Sequence, residues 1–455
     1  MSPICSDWYE IGTQRDRRGT LATAAAIISE PDPFRKVRSL SLQNSLDSER
    51  NATPSATQTP RPTGRRQECF WPLDDTVPSW GRRGGAYQVF VPDPIAAREF
   101  PLEGAAVASL ADAAKALGHL NETQPALSTL AALARNLLRS ESAASSRIEG
   151  VKISHRRLAR ASYARAGGRG GDNRAAEVLG NVEAMERAIE IGSRADPLTV
   201  PDIQDIHRTL LRFTDDRDVA GVIRTKQNWI GGNDYHPIGA TYVPPPPELV
   251  SALLEDLTQF IARTNIAAVA QAAIVHAQFE NIHPFADGNG RTGRALIYAV
   301  LRRRQEITNY IPPISLVLGS QPKGYVAGLA AYSSGNVSHW CEIFAHATFR
   351  AAPEAERLAA EIESLQAGWI ERLGRPRKDS SARELISALP AQPVIDVAAA
   401  QQLTGKSHVA VGQAIAQLQA AGILKSLNER KWGRVWECHE LLALVDRFEE
   451  SVSTP

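Results

Sequence analysis

The sequence predicts a mainly α-helical protein with a small β-hairpin near its middle and a mixed α+β module at its C-terminal end. Three observations predict it. Apolar residues recur at helical spacing on both sides of residues 283–294, and a leucine stripe of the same period precedes Glu149. From about Ser380, helical runs give way to a turn and two short strand-like runs.

In order along the chain, residues from Arg15 to about Arg66 mix Ser, Thr, Pro and Arg with little periodicity, so residues 1–84 are expected to be a disordered extension. Order is expected to begin near Tyr87–Pro92 and continue through an N-terminal helical region, residues 85–195. In it Leu127, Leu130, Leu133, Leu137 and Leu138 mark an amphipathic helix that ends near Glu149. Gly167 to Gly171 form a loop that fails the dinucleotide-binding pattern, because Asn173 stands at its last glycine and no strand precedes it. Residues 196–350 form a mostly helical core, 351–379 a linker helix and 380–455 the C-terminal module.

Within the core, a helix from Ala267 to Ile282 and another from Arg291 to Arg304 flank the run His283-Pro284-Phe285-Ala286-Asp287-Gly288-Asn289-Gly290-Arg291-Thr292-Gly293-Arg294. Gly288 and Gly290 permit positive φ and close backbone approach, so free N–H groups at the helix start can converge on an anion, best a di- or triphosphate. Arg291 and Arg294 share a helix face, where two guanidinium groups can grip different phosphates. Asp287 supplies a hard oxygen suited to Mg²⁺, Asn289 an amide donor, and His283 a general base. Singly, each of these is an ordinary helix end, turn or solvated face; jointly they specify a nucleotide-phosphate site.

This run resembles the Fic (Fido) signature H-P-F-x-[DE]-G-N-G-R-x-x-R at every defined position. The resemblance implies a helical Fic core and a nucleotidyltransferase that moves AMP from ATP onto a protein hydroxyl. It makes His283 the base that deprotonates the target and Asp287 the Mg²⁺ ligand. Gly288, Asn289 and Gly290 become the anion hole, and Arg291 and Arg294 clamps on the β- and γ-phosphates. The Doc branch, which phosphorylates, carries Lys where Gly290 stands, so the kinase reading is disfavoured.

Ser145-Ser146-Arg147-Ile148-Glu149-Gly150 is similar to the family's inhibitory pattern [ST]-x-x-x-E-[GN], with Ser145, Glu149 and Gly150 in the defined places. The resemblance implies that Glu149 pairs with Arg294 and denies it to the γ-phosphate. Between the two motifs, Gln227–Gly232 and Ala240–Val243, followed by Pro244–Pro247, read as two short strands around a loop. The family has a target-docking flap at the matching place, which here would be built on Trp229, Ile230, Gly231, Tyr242 and Val243 and would add a target peptide as a strand.

The C-terminal order, a helix at 382–389, a second run at 394–403, a Thr404-Gly405 turn, a third helix and two strands joined at Asn428–Gly433, resembles a winged helix. Gly405-Lys406-Ser407 is no P-loop, since Ala400 stands where the first glycine is required. Lys406, Lys425, Arg430, Lys431 and Arg434 are candidates for DNA phosphate contacts, and a protein-docking or dimerisation role is equally open.

Composition sets the outer limits. The 455 residues, 43% hydrophobic and 22% charged, suffice for two or three domains, and the net charge of +1 gives no global pull toward nucleic acid or membrane. Cys5, Cys69, Cys341 and Cys438 lack disulfide-framework or zinc spacing, and no apolar run approaches the roughly 18 residues that span a bilayer. A cytoplasmic protein with ATP and a hydroxyl-bearing protein as partners, without a membrane and with homodimerisation open, is expected. Two other functions stay open: removal of AMP, with Glu149 positioning a water, and a DNA-associated regulator that senses nucleotide.

Overall fold

The computed structural model describes residues 61–122, 127–168, 171–308, 310–428 and 433–453. It opens on an antiparallel hairpin, β1 (Gly64–Trp71) and β2 (Gly85–Pro92), paired from Gly64 opposite Pro92 to Trp71 opposite Gly85. Order therefore begins before residue 85, which corrects the expectation of a disordered 1–84; residues 1–60 lie outside the described ones. The reason is tertiary. β1 carries Arg65, Arg66, Gln67 and Glu68 in sequence, with no apolar alternation, and is held by β2, whose Val89 and Val91 are buried.

Helices follow in the order α1 (Gly104–Glu122), α2 (Leu127–Ile148), α3 (His155–Ala166), α4 (Asn173–Gly192), α5 (Val200–Leu211), α6 (Pro247–Ala262), α7 (Ala268–Ile282), α8 (Asn289–Arg303), α9 (Ile314–Ser320), α10 (Pro322–Ser333) and α11 (Val337–Arg372). Local signals start many of them. Ser154 and Asp172 accept the N–H groups of Arg157 and Ala175 to cap α3 and α4, Thr199 and Asp202 form a capping box on α5, and α6 begins with Pro247 after Pro246.

The centre of the molecule is the pair α7 and α8. In α7 every residue but Glu280 is buried, and α8 is buried from Arg291 to Leu301, as befits helices packed on all sides. α4, α5 and α11 surround them. A Cβ on Gly192 of α4 would lie 2.4 Å from the Ala299 carbonyl oxygen, so glycine lets α4 touch α8 backbone to backbone.

α11 corrects the expected boundary at 350. Its 36 residues run through that point and Pro353 without a break, because one stripe, Trp340, Phe344, Ala347, Ala351, Ala355, Leu358, Ile362 and Trp369, is buried throughout. There is no separate linker helix over 351–379.

The two strands expected at 227–243 reduce to one antiparallel bridge between Ile230 and Tyr242. Gly231 and Gly232, at φ 75° and 78°, turn the chain out of the extended region, and Pro244 to Pro246 have no N–H for a ladder. The segment is tied instead to β2, where the Phe90 N–H donates to the Val243 carbonyl at 2.8 Å.

The C-terminal elements are α12 (Ser381–Ala388), β3 (Val394–Ile395), α13 (Val397–Thr404), α14 (His408–Ala420), β4 (Lys425–Ser426), β5 (Trp436–Glu437) and α15 (His439–Ser453), with the antiparallel order β3-β5-β4. Residues 429–432, including Arg430 and Lys431, lie outside the described ones. Val394, Val435 and Leu442 pack with Ala159 of α3, so the module is docked on the N-terminal helices. Among the described residues no helix is long and apolar enough to cross a membrane.

Candidate active site

α7 stops at His283, whose left-handed backbone (φ 48°, ψ 61°) turns the chain into the loop, and α8 starts after Gly288 (φ 74°). Between them the N–H groups of Ala286, Asp287 and Gly288 donate to no protein acceptor among the described residues. Three free N–H groups at a helix N-terminus are the makings of an anion site.

The Asn289 side chain is not among its donors, contrary to expectation. Its Oδ1 accepts the Phe285 N–H at 2.8 Å and its Nδ2 donates to the Phe285 carbonyl at 2.9 Å, so it closes the loop on itself and is buried.

The two arginines are both occupied. Arg291 donates to Asp287 at 2.9 Å and lies 3.8 Å from Glu177, with its Nε and one terminal nitrogen lacking hydrogen bonds. Arg294, 1% exposed, donates from Nε to Ser145 Oγ, and from one terminal nitrogen to the Ser145 carbonyl and to Glu149 Oε1, each at 2.8 Å. Burial works against the Arg294 charge, yet Glu149 and its neighbours raise its pKa above the usual guanidinium value. Glu280, on α7, is a second acid nearby, but burial pushes its carboxyl up to about 8, and it is Glu149 that hydrogen-bonds Arg294. Glu149 follows α2 directly, in a turn that Gly150 completes at φ 83°. A Cβ on Gly290 would lie 2.1 Å from Glu149 Oε1, so any side chain at 290 would displace the carboxylate.

His283 is half-buried and its buried Nδ1 has no hydrogen-bond partner. Burial first, then the Arg224 guanidinium, push its pKa down to about 4, so the ring is neutral at physiological pH. The Asp287 carboxylate stands partly exposed at the mouth of the loop. Among the described residues no three His, Cys, Asp or Glu side chains cluster as a metal cage. One hard carboxylate beside a phosphate site suits Mg²⁺, which takes most of its ligands from phosphate and water.

Residues 197–301, from α5 through the loop into α8, match the Fic/DOC family model, and residues 107–190 match the model of the Fic/DOC family N-terminal region. Over residues 197–301 the chain is similar to the Fic/DOC family. It is 30% identical over 135 residues, 29% of this chain and 24% of the relative, to Protein adenylyltransferase fic-1 of Caenorhabditis elegans. To Protein adenylyltransferase Fic of Aedes aegypti it is 33% identical over 131 residues, 28% and 24% of the two chains. The chain thus spans about a quarter of the length of these relatives. A Fic family protein from Desulfovibrio desulfuricans G20 superposes with TM-score 0.47 at 22% identity, covering 74% of this chain and 97% of that one.

The segment expected to form the flap keeps only part of its expected surface. Val243 is buried with Val89 and Val91, and the Tyr242 hydroxyl donates to the Asn281 carbonyl at 2.7 Å. Trp229 donates to the Asn233 carbonyl and meets Trp71 of β1 edge to face, centroids 5.5 Å apart, while Ile230 and Gly231 remain half-exposed.

Four residues around the Fic loop carry no sequence signal: His207, Arg224, Asn228 and Glu449. The first three bond loop carbonyls. Glu449 of α15 is buried and accepts from His155 of α3 and from Arg147, which lies inside the Ser145–Gly150 motif. Its neighbours hold its carboxyl below the usual carboxylate range in spite of burial. Glu449→Ala would leave Arg147 and His155 without their carboxylate and is expected to cost about 3 kcal/mol of unfolding free energy. Denaturant titration measures this, and an unchanged midpoint would show the triad to be energetically idle.

Proposed function

We propose that the protein transfers AMP from ATP to a Ser, Thr or Tyr hydroxyl of a target protein and is restrained by its own Glu149. The observation that carries this reading is the buried Arg294 beside three free loop N–H groups, its charge taken up by Glu149. The relatives' names, protein adenylyltransferase, support it. In this reading the loop N–H groups and Arg291 hold the phosphates, and Asp287 holds Mg²⁺, which when bound neutralises charge on the phosphate oxygens. The neutral His283 accepts the target hydroxyl proton, the hydroxyl oxygen bonds to the α-phosphorus, and the bond from that phosphorus to pyrophosphate breaks in line. The flap holds the target segment near His283, and the protein works in the cytoplasm.

Incubation with ATP labelled in the α-phosphate and Mg²⁺, alone and with lysate, followed by mass spectrometry, tests the reading. Covalently attached AMP is the expected product; loss of AMP from a pre-modified protein, without any attachment, would favour the removal reading. Because His283 is held neutral down to about pH 4, transfer should persist well below the usual histidine midpoint of about 6.5 and fall only as pH approaches 4. A pH–rate profile with its acid limb at 6.5 would contradict this.

We read the C-terminal elements as a winged-helix module, and one observation favours protein docking over DNA. α14, the helix that would enter a groove, has the sequence HVAVGQAIAQLQA without Lys or Arg, and its Val409 is 67% exposed. Lys406 beside it is paired with Glu384 at 3.1 Å. Duplex binding should therefore be weak at low salt; tight binding that falls steeply with added salt would restore the DNA reading.

A further inference from the structure

Five carbonyl groups of the loop and its approach are claimed by donors that reach in from the segment 207–228. Arg224 donates from Nε to the His283 carbonyl at 2.9 Å and from its backbone N–H to that of Pro284 at 2.9 Å, and a terminal nitrogen reaches those of Ile282 at 3.5 Å and Pro245 at 2.6 Å. Asn228 Nδ2 donates to the Phe285 carbonyl at 2.9 Å. His207 Nε2 bonds the Asp287 carbonyl at 2.9 Å while its Nδ1 accepts the Gly221 N–H at 2.8 Å, which places the proton on Nε2. The same ring lies flat on Phe285, centroids 3.7 Å apart and planes 4° apart.

In a trans peptide the carbonyl of one residue and the N–H of the next point in opposite directions. Pinning the Phe285 carbonyl therefore aims the Ala286 N–H away from Asn228, and pinning the Asp287 carbonyl aims the Gly288 N–H away from His207. These are two of the three N–H groups between α7 and α8 without a protein acceptor. Arg224, bonded behind His283 and Pro284, fixes the left-handed turn that presents the imidazole. All three donors are themselves packed: His207 and Arg224 are buried and Asn228 half-buried.

We propose that His207, Arg224 and Asn228 are positioning residues for AMP transfer, which hold the loop carbonyls outward so that its N–H groups face the nucleotide phosphates before ATP arrives. This rests on the adenylyl-transfer reading of the same site. Preorganised donors spend no reorganisation energy as charge develops, so loosening them lowers turnover more than target binding.

The test compares His207→Phe, which keeps the stack on Phe285 but removes both hydrogen bonds, and Asn228→Asp, which sets a carboxylate oxygen against the Phe285 carbonyl. Both are made in the full chain carrying Glu149→Gly. Turnover per folded molecule should fall about tenfold or more in each and ATP·Mg²⁺ affinity should weaken, with KM for the target protein within about twofold. A merely structural role would lower the folded fraction and leave these per-molecule values in place. Arg224→Lys and Arg224→Gln supply a second readout. Both lose the multiple carbonyl bonds and turnover, but only Arg224→Gln removes the cation near His283, so only there should the acid limb of the pH–rate profile move upward. ATP·Mg²⁺ affinity and turnover both within twofold of the parent in His207→Phe and Asn228→Asp would overturn the proposal. If the parent transfers no AMP, the adenylyl-transfer reading falls by itself, and calorimetric ATP·Mg²⁺ affinity alone decides whether these residues organise the loop.

Discussion

Glu149→Gly is expected to raise AMP transfer, both to the protein itself and to its targets, by about tenfold or more, a shift of roughly 1.4 kcal/mol or beyond. The carboxylate accepts from Arg294 at 2.8 Å and lies against Gly290, where a phosphate would otherwise approach the start of α8. In the proposed reading, ATP enters while Glu149 is in place only with its γ-phosphate unclamped and its α-phosphorus out of line for attack. Glycine removes the carboxylate without adding bulk and keeps the turn that Gly150 completes. Arg294 then retains its two bonds to Ser145 and has a free charge for phosphate. Arg294→Ala in the same background should cancel the gain. Transfer of labelled AMP, measured for the single and double variants, decides it; an unchanged rate in Glu149→Gly would sink the inhibitory role, and a lost rate would point to water positioning and AMP removal.

His283→Ala is expected to abolish transfer, lowering turnover by roughly 10² to 10⁴, while ATP affinity changes little. The imidazole is held neutral by burial and by Arg224, so the ring can accept a proton. Alanine at φ 48° also strains the backbone by about 1 kcal/mol. His283→Asn separates the two effects, since asparagine tolerates the left-handed region but is no base; it too should be inactive. Full transfer by either variant would remove His283 from the mechanism.

The loop was legible in the sequence because its chemistry is local: glycines, a base, an acid and two cations within a dozen residues, between two helices of clear period. The Glu149–Arg294 pair joins positions 145 apart and was readable only through resemblance to a family that keeps both motifs. His207, Arg224 and Asn228 were not readable, because a single polar side chain that bonds a distant carbonyl leaves no period and no spacing. For a similar reason the sequence places the Asn289 amide on an anion; only the fold shows that it is spent on Phe285. β1 is hidden in the sequence by its run of polar residues, which β2 holds in register, and the two strands expected at 227–243 shrink to one bridge where glycines and prolines break the ladder.

α11 has a mechanical consequence. At 1.5 Å per residue its 36 residues form a rod of about 54 Å, with Trp340 and Trp369 buried near its two ends. A chain cut at residue 350 would sever this rod partway along and discard α15, and with it the carboxylate of Glu449 that grips Arg147. The half that carries the 283–294 loop and the C-terminal half should accordingly melt as one cooperative unit in calorimetry. A fragment ending at 350 should resemble neither the intact protein nor a clean piece of it.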